Sequence, residues 1–277
     1  MTRFTRLASM SGVGALLACG APAMAAITPP SLTTFGSANE GYGGFTAQVS
    51  TLLPEKTPAP AWTLDANAAR MTNAATNDSG QVNSSLLNEV TLTRTAGSAY
   101  TITGVIDWVS TYAADNNRAG ILLFATSGDL AGADTGLSLQ LNLGIGTFRV
   151  LTAGVNGGTT LVTATYNGLN GASAVGTVFT FVADVTFVGT NIDVDFTLID
   201  QNSFAQTIST TVAAASYTGE FFGFATRGRV RGTTPGVNDV PFIYDAKSFQ
   251  VAAVPEPASA ALLGLGALAA LRRRRAV

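Results

Sequence analysis

Strict alternation of apolar and polar residues is the feature that most limits how this chain of 277 residues can fold. The clearest run places leucine at 137, 139, 141 and 143, with Ser138, Gln140 and Asn142 between them. Residues 100–108, 179–187 and 192–198 repeat the pattern. A period of two is typical of β-strands, whose side chains point alternately to opposite faces. The sequence therefore predicts antiparallel, half-buried strands with one face in water.

Turn signals separate these runs. Residues 188–191, with Gly189 in the first central place, fit a two-residue hairpin turn. Further signals are the Gly-Ile-Gly segment at 144–146 and the Asn-Gly pairs at 156–157 and 167–168. This spacing predicts about ten strands between Tyr100 and Val251. Thr, Val and Phe, which favour strands, are abundant in the same region.

The part of the chain before residue 90 is less regular. Three prolines at 54, 58 and 60 indicate a loop, and residues 66–85 are rich in Ala, Asn and Ser. We expect short strands near residues 62–64 and 90–95, with long loops between them. No segment of the body shows a clear helical period. Residues 26–253 are thus predicted to form one all-β domain, an antiparallel two-sheet sandwich.

The composition excludes several kinds of chemistry. The chain has no histidine, which rules out Ser-His-Asp and Cys-His catalysis and histidine-ligated metals. Its one cysteine excludes disulfides within the chain and thiolate metal clusters. Residues 26–253 contain nine basic and sixteen acidic residues, a net charge near −7. An acidic body argues against nucleic acid and anionic membrane surfaces as partners.

The N-terminus, residues 1–25, has the order of parts found in a secretory signal peptide. These parts are the basic residues Arg3 and Arg6, an uncharged stretch at 7–19, and small residues at Ala23 and Ala25. Signal peptidase is expected to cut after Ala25, with Ala26 as the alternative. Two other interpretations are a first helix of the mature fold, and a lipoprotein site in which Cys19 becomes the lipidated first residue.

The C-terminus, residues 254–277, has three parts of its own. They are Pro255, Glu256 and Pro257, an uncharged stretch at 258–271, and the arginines Arg272, Arg273, Arg274 and Arg275. A helix over residues 258–271 is about 21 Å long, whereas a hydrocarbon core is about 30 Å thick. Arginine side chains recover part of that difference by reaching to the interface. The stretch therefore predicts a short transmembrane helix with the arginine end in the cytoplasm.

Pro-Glu-Pro, a short Ala/Leu/Gly span and a terminal arginine cluster together resemble the PEP-CTERM sorting signal of Gram-negative bacteria. The resemblance implies recognition by exosortase, a membrane enzyme that would cleave near Pro255-Glu256-Pro257. It also implies export across the inner membrane, transient anchoring, and transfer to the cell surface or exopolysaccharide matrix of a biofilm. The alternative is an ordinary C-terminal tail anchor.

The order of strand motifs resembles the concanavalin A-like or laminin-G-like jelly roll. The motifs lie at residues 100–107, 118–124, 137–152, 178–199, 221–224 and 241–245. The resemblance implies two curved antiparallel sheets with a concave face, which is the usual carbohydrate surface of that fold.

Glycoside hydrolysis is the enzymatic function to test against that fold, because it needs two carboxylates flanking one bond. Glucanases of this fold carry Glu-x-Asp-x-x-Glu on one strand, and the sequence contains no such run. Asp193 and Asp195 share one strand face, but their neighbours form an apolar face. The pair is therefore interpreted as part of a solvated outer face, and no catalytic residue is predicted.

Other polar and aromatic residues are candidates for binding. Oxygen ligands for a structural calcium ion occur at Asp115, Asn116, Asn117, Asp129, Asp134, Asn238 and Asp239. Arg227, Arg229 and Arg231 alternate, and either contact an acidic polysaccharide or solubilise a loop. Trp62, Trp108 and Tyr112 either stack on sugar rings or belong to the core.

Together these features predict an exported, non-enzymatic surface or matrix protein without a cofactor, calcium excepted. Its expected partners are exosortase and signal peptidase during export, the membrane before processing, and extracellular polysaccharide. It would bind or organise glycans. The alternatives are a secreted glycan-degrading hydrolase and a purely structural matrix protein.

Overall fold

The strands pair into two antiparallel sheets in a computed structural model of the chain. The structure describes residues 31–35, 40–51, 61–65, 67–73, 82–111, 117–128, 135–152, 158–228 and 240–255. These residues form fifteen strands and three short 3-10 helices, at Glu40–Gly44, Gly171–Ala174 and Ala214–Ser216. The predicted all-β, two-sheet sandwich is confirmed.

The strands are numbered in chain order. They are β1 (Ser31–Thr34), β2 (Thr46–Thr51), β3 (Ala61–Asp65), β4 (Ala68–Asn73), β5 (Val82–Glu89), β6 (Ala99–Ser110), β7 (Arg118–Ala125), β8 (Leu137–Asn142), β9 (Thr147–Leu151), β10 (Thr160–Thr165), β11 (Thr177–Val188), β12 (Asn191–Asp200), β13 (Ala205–Ala213), β14 (Phe221–Gly228) and β15 (Phe242–Val254). One sheet has eight strands in the order β13-β12-β11-β6-β15-β4-β3, with β1 also paired to β15. The other has seven strands in the order β10-β9-β8-β7-β14-β5-β2.

The apolar sides of the alternating strands meet between the two sheets. From the eight-stranded sheet come Phe179, Phe181 and Phe196, all fully buried, as the alternation predicts. From the seven-stranded sheet, the four leucines of residues 137–143 belong to the same core. Phe148 of β9 lies 4.6 Å from Phe196 of β12, measured between ring centroids, and so joins the sheets directly. Burial of this aromatic core is the main term that favours the sandwich.

The ten strands predicted between residues 100 and 251 are present as β6 to β15. The hairpin turn at Gly189 is also confirmed, because Val188 pairs with Asn191 and Gly189 has a φ of +59°. A positive φ of this kind favours glycine. Residues 143–146 connect β8 to β9, so the second predicted turn is confirmed as well.

Two predictions for the less regular region were wrong. Residues 91–94 lie outside any strand, whereas β4 and β5 fall within the segment expected to be a loop. The strand predicted at residues 62–64 is present as β3. β5 is polar in sequence, but it is paired on both sides, with β14 and β2, and is buried along most of its length. Sheet pairing therefore outweighs the low strand propensity of Asn and Ser.

Asn167-Gly168 does not form the tight hairpin turn that its sequence suggests. The preceding strand, β10, is the edge of the seven-stranded sheet, and the following strand, β11, belongs to the other sheet. Residues 166–176 therefore cross between the sheets. Asp200 fixes this crossing by accepting a hydrogen bond from the Leu169 backbone N–H, 2.9 Å away. The Asn156-Gly157 turn lies outside the described residues.

A charged network holds the centre of the eight-stranded sheet. Arg70 on β4 donates two hydrogen bonds to the carboxylate of Asp245 on β15, at 2.8 and 2.9 Å. Lys247 lies 3.2 Å from Asp245 and 3.6 Å from Asp107 of β6. Because the Asp245 side chain is almost fully buried, these two cations supply the partners that a buried carboxylate needs.

Both predicted terminal segments, the signal peptide at 1–25 and the helix at 258–271, lie outside the described residues. Within the described ranges, no helix has the length and apolarity needed to cross a membrane.

Candidate functional site

The outer face of the seven-stranded sheet carries three arginines on strands that lie close together. Arg227 of β14 is directly opposite Arg118 of β7 in the strand register. Arg149 lies on β9, with only β8 between it and β7. Their chain neighbours Ala119 and Phe148 are core residues, so the arginines point away from the core. We call Arg118, Arg149 and Arg227 the arginine triad.

Each member of the triad is opposite a side-chain amide on a neighbouring strand. Arg227 pairs in register with Asn83, Arg118 with Asn142, and Arg149 with Gln140. The amides are buried, and Gln140 donates a hydrogen bond to Ser138 at 2.5 Å. The triad is thus surrounded by side chains that both donate and accept hydrogen bonds.

The three guanidinium groups are close enough to influence one another. Burial and the neighbouring charges of Arg149 and Arg227 lower the pKa of Arg118 to about 10. Burial, followed by the charge of Arg227, also lowers the pKa of Arg149. The pKa of Arg227 is lowered by burial. Repulsion between like charges on neighbouring strands therefore contributes to the lowered pKa of Arg118 and of Arg149.

Several polar atoms on this face are buried without a hydrogen-bond partner in the described structure. They include Nε and Nη2 of Arg149, Oγ1 of Thr147 and Oγ of Ser85. Buried polar groups are nearly always hydrogen-bonded, to protein or to water. These atoms therefore represent unused hydrogen-bonding capacity beside a positive charge.

An apolar patch adjoins the triad on the same face. Leu87, Leu122, Ala125 and Ala225 form a second hydrophobic cluster, with half-buried Phe221 packed against it. Between the patch and Arg118 lies Gly120, where an added Cβ would collide with the backbone oxygen of Leu139. The face thus combines apolar, amide and cationic side chains, of which the arginines and Phe221 are half-buried and the others are buried.

The burial of Ser138, Gln140 and Asn142 corrects one prediction from the sequence. Alternation predicts that these polar residues face water, but all three are buried. The outer face of the central strands is covered rather than exposed to water, since Leu122 and Ala225 on the same face are buried as well. Alternation identifies the two faces of a strand, but not whether the polar one is solvated.

Charge is divided unequally between the two sheets. Among described strand residues, the seven-stranded sheet has three arginines and a single carboxylate, Glu89. The eight-stranded sheet has seven aspartates against Arg70 and Lys247. Counted over the described strand residues, the seven-stranded sheet is therefore net positive although the chain is acidic, and that positive charge comes from the triad.

The two aspartates of β12 lie on an outer strand face, as the sequence predicts. Asp193 and Asp195 are on the outer face of the eight-stranded sheet, and Asp195 is exposed. Asp193 accepts a hydrogen bond of 2.7 Å from Thr211. The prediction of a solvated outer face is confirmed.

The tryptophans are core residues. Trp108 is fully buried and Trp62 nearly so, and both make edge contacts with Tyr244. The hypothesis that they stack on sugars is therefore wrong. Tyr112 lies outside the described residues.

Only one of the predicted calcium ligands, Asn117, lies within the described residues. It is buried, and its amide donates a hydrogen bond to Thr111. Asp115, Asn116, Asp129, Asp134, Asn238 and Asp239 lie outside them. Across the described ranges, no cluster of three or more Cys, Asp or Glu side chains could hold a metal ion.

Most of the predicted processing residues also lie outside the described ranges. Pro255 is described, is exposed, and immediately follows β15. The others are Ala23, Ala25, Glu256, Pro257, Arg272, Arg273, Arg274 and Arg275.

The triad was not found from the sequence, which singled out Arg227 together with Arg229 and Arg231. Arg229 and Arg231 lie outside the described residues. A usable signal was present, because Arg149 is flanked by the apolar residues Phe148 and Val150 and must share a face with the polar residues of its strand.

The architecture is that of the lectin sandwich. The galactose complex of the lectin UEA-II superposes with a TM-score of 0.51 at 10% identity, covering 81% of this chain and 98% of that one. Lectin II from Ulex europaeus gives 0.47 at 11% identity, covering 76% and 93%. The metal-free lectin I-B4 from Griffonia simplicifolia gives 0.48 at 10% identity, covering 81% and 100%. The predicted concanavalin A-like jelly roll is confirmed.

The chain also carries a sorting motif. Residues 253–275 match the PEP-CTERM protein-sorting motif, which confirms the resemblance of the C-terminus. No curated protein matches the sequence.

Proposed function

We propose that this chain is an exported, non-enzymatic protein that binds glycans on the outer face of its seven-stranded sheet. The observation that carries the proposal is the row of three half-buried arginines on that face. Sugars offer hydroxyl oxygens as hydrogen-bond acceptors, and guanidinium groups are donors that fit them. The lectin sandwich supports the proposal at the level of fold.

The sorting motif supports a location outside the inner membrane. After signal peptidase removes residues 1–25, exosortase would act near Pro255 and transfer the protein to the cell surface or to the exopolysaccharide matrix. Residues 26–253 would then be the glycan-binding domain, without a cofactor. The helix at 258–271 would hold the protein in the membrane only until it is processed.

A hydrolase is less well supported by the same face. Glycoside hydrolysis needs two carboxylates on either side of one bond. Among the described strand residues of the seven-stranded sheet, Glu89 is the single carboxylate. Asp193 and Asp195 are on the opposite side of the sandwich. We therefore propose binding without cleavage.

The test is a glycan array, together with pull-down on polysaccharide from a biofilm matrix, using the full chain. The matched variants are Arg149→Gln, on the proposed face, and Gln250→Glu, which makes the same change of net charge at an exposed position of the eight-stranded sheet. We expect binding by the wild type and by Gln250→Glu, with a loss of about tenfold or more in Arg149→Gln. A blank array and a blank pull-down would refute the proposal. Release of reducing ends would refute its non-enzymatic part.

A further inference from the structure

Strand β13 forms a long, regular edge of the eight-stranded sheet. Among the described strands it pairs only with β12, through nine consecutive residue pairs without a bulge. The other described edge strands, β1, β2, β3 and β10, have four to six residues, and the register of β10 is interrupted. Edge strands are usually protected from pairing by charged residues, proline or bulges. Residues 205–213 contain no charge and no proline, so β13 lacks this protection.

Alternate residues of β13 direct their backbone N–H and C=O groups away from the sheet. The Asp200 N–H donates a hydrogen bond to the Phe204 oxygen, and this bond sets the alternation of the antiparallel ladder. Gln206 and every second residue after it therefore exchange hydrogen bonds with β12. The residues between them point their backbone groups outward and are all exposed, namely Ala205, Thr207, Ser209, Thr211 and Ala213. We call these five residues the outward set.

The side chains of the outward set leave the edge open. The Thr211 hydroxyl donates a hydrogen bond to Asp193 on β12, at 2.7 Å. The hydroxyls of Thr207 and Thr197 are also 2.7 Å apart. Both threonines are thus held back onto the neighbouring strand. The N–H and C=O groups of the outward set have no partner among the described residues, and the chemistry that satisfies such a row is another extended strand.

The outward set is symmetric about its centre, which favours a second copy of this chain as that strand. From residue 205 to residue 213 it reads Ala, Thr, Ser, Thr, Ala. A twofold axis at Ser209 would pair Ser209 with its own copy, each Thr207 with a Thr211, and each Ala205 with an Ala213. A twofold interface uses the same patch on both copies, so the patch must be complementary to itself. In this register every outward N–H and C=O group would gain a partner.

The charges near the edge permit this pairing. Asp195 lies on β12, opposite Ser209 in the register. In the paired sheet the two copies of Asp195 would be three strand spacings apart, or about 14 Å. That distance exceeds the Debye length of about 8 Å at physiological ionic strength, so their repulsion is largely screened. Phe204, which is 40% exposed, would lie opposite Ala214 of the second copy and bury further apolar surface at each end.

We propose that the chain forms a twofold dimer in which the β13 strands of two copies pair antiparallel. The two eight-stranded sheets then become one continuous sheet. Because the twofold axis is perpendicular to that sheet, both seven-stranded sheets lie on the same side of it. The dimer does not depend on glycan binding, and the glycan array tests that function separately.

The experiment combines sedimentation velocity with hydrogen exchange measured by NMR, on the full chain over a dilution series. Ser209→Pro removes the outward N–H at the twofold axis. It leaves the ladder with β12 intact, because proline is tolerated on an edge strand where the N–H faces solvent. Ser209→Ala is the matched control, since it removes the hydroxyl but keeps the backbone N–H.

We expect the mass to rise with concentration from one chain to two and no further. Ser209→Pro should raise the Kd of the dimer about tenfold or more, because each copy loses a hydrogen bond. Ser209→Ala should stay within about threefold of the wild type, as surface substitutions usually do. In the wild type, the amides of the outward set should exchange slowly only in concentrated samples. The amides that face β12 should be protected at every concentration, namely those of Gln206, Ile208, Thr210 and Val212.

Several results would overturn the proposal. A monomer at every concentration removes the dimer, and outward amides that are protected in that monomer would show that another segment covers the edge. A dimer that Ser209→Pro leaves unchanged forms through a different surface, such as residues 258–271. Growth beyond two copies excludes a closed twofold arrangement. The exchange pattern of the wild type decides the matter even where Ser209→Pro fails to fold, because outward amides that exchange equally fast in dilute and concentrated samples exclude β13.

Discussion

Two half-buried arginines with opposite surroundings give a sharp test of how the site is built. Arg149 has two guanidinium nitrogens that are buried without a partner, and its pKa is lowered by burial and by the charge of Arg227. An unsatisfied buried donor costs about 1–3 kcal/mol, more when it is charged. Arg149→Met keeps the apolar stem and removes these donors. In the absence of ligand, we expect the free energy of unfolding to rise by about 1–2 kcal/mol.

Arg94 is the matched control. Its guanidinium donates hydrogen bonds to the backbone oxygens of Tyr217 and Gly219, at 3.0 and 2.6 Å. It also lies 5.4 Å from the centroid of the Phe124 ring. Hydrogen bonds that involve a charged group contribute about 1.5–3 kcal/mol each. Arg94→Met should therefore lower the free energy of unfolding by about 3 kcal/mol.

Urea unfolding measures both effects, with the fluorescence of the buried Trp62 and Trp108 as the signal. A gain of 1 kcal/mol should also raise Tm by about 2–4 °C in a domain of this size. The same substitution thus has opposite signs at the two positions. A loss of stability in Arg149→Met comparable to that in Arg94→Met would show that Arg149 is a structural residue, and the reasoning would be wrong.

Two more predictions concern pH and sorting. Tyr166 donates a hydrogen bond to the Phe204 backbone oxygen, and burial and the Asp200 charge raise its pKa. Above pH 10 the unfolded phenol loses its proton first, so stability falls by up to about 1.4 kcal/mol per pH unit. Tyr166→Phe should flatten this slope in urea unfolding between pH 9 and 11, and equal slopes would contradict the assignment. Replacing Pro255, Glu256 and Pro257 with alanine should retain the protein in the inner membrane on fractionation, whereas unchanged release would exclude the motif's role.

The sandwich was predictable from the sequence because most of its strands show alternation of apolar and polar residues. Residues 137–143 and 192–198 alternate strictly, and a period of two leaves little choice of local structure. The hairpin at Gly189 was also predictable, because few residues other than glycine adopt a positive φ. β5 was missed because its Asn and Ser residues obtain their stability from two neighbouring strands that are distant in sequence. Pairing of that kind is not visible in a local pattern.

The candidate site was less predictable because it is assembled across strands. Arg118 and Arg227 are over one hundred positions apart, yet they are directly opposite each other in the register. Local analysis instead grouped Arg227 with its sequence neighbours Arg229 and Arg231. The alternation around Arg149 indicated its face, but only the strand order places that face beside the other two arginines.

The position of β15 has a consequence for how the protein matures. This strand lies between β6 and β4 and also pairs with β1, so the eight-stranded sheet is divided until β15 is in place. β15 ends at Val254, and Pro255 of the sorting motif is the next residue. Because no residues separate Val254 from Pro255, pairing of β15 within the sheet places Pro255 directly at the end of the folded domain. If the motif is cleaved as proposed, completion of the sheet would fix the distance between the folded domain and the cleavage point, and an incompletely folded chain would lack that fixed distance.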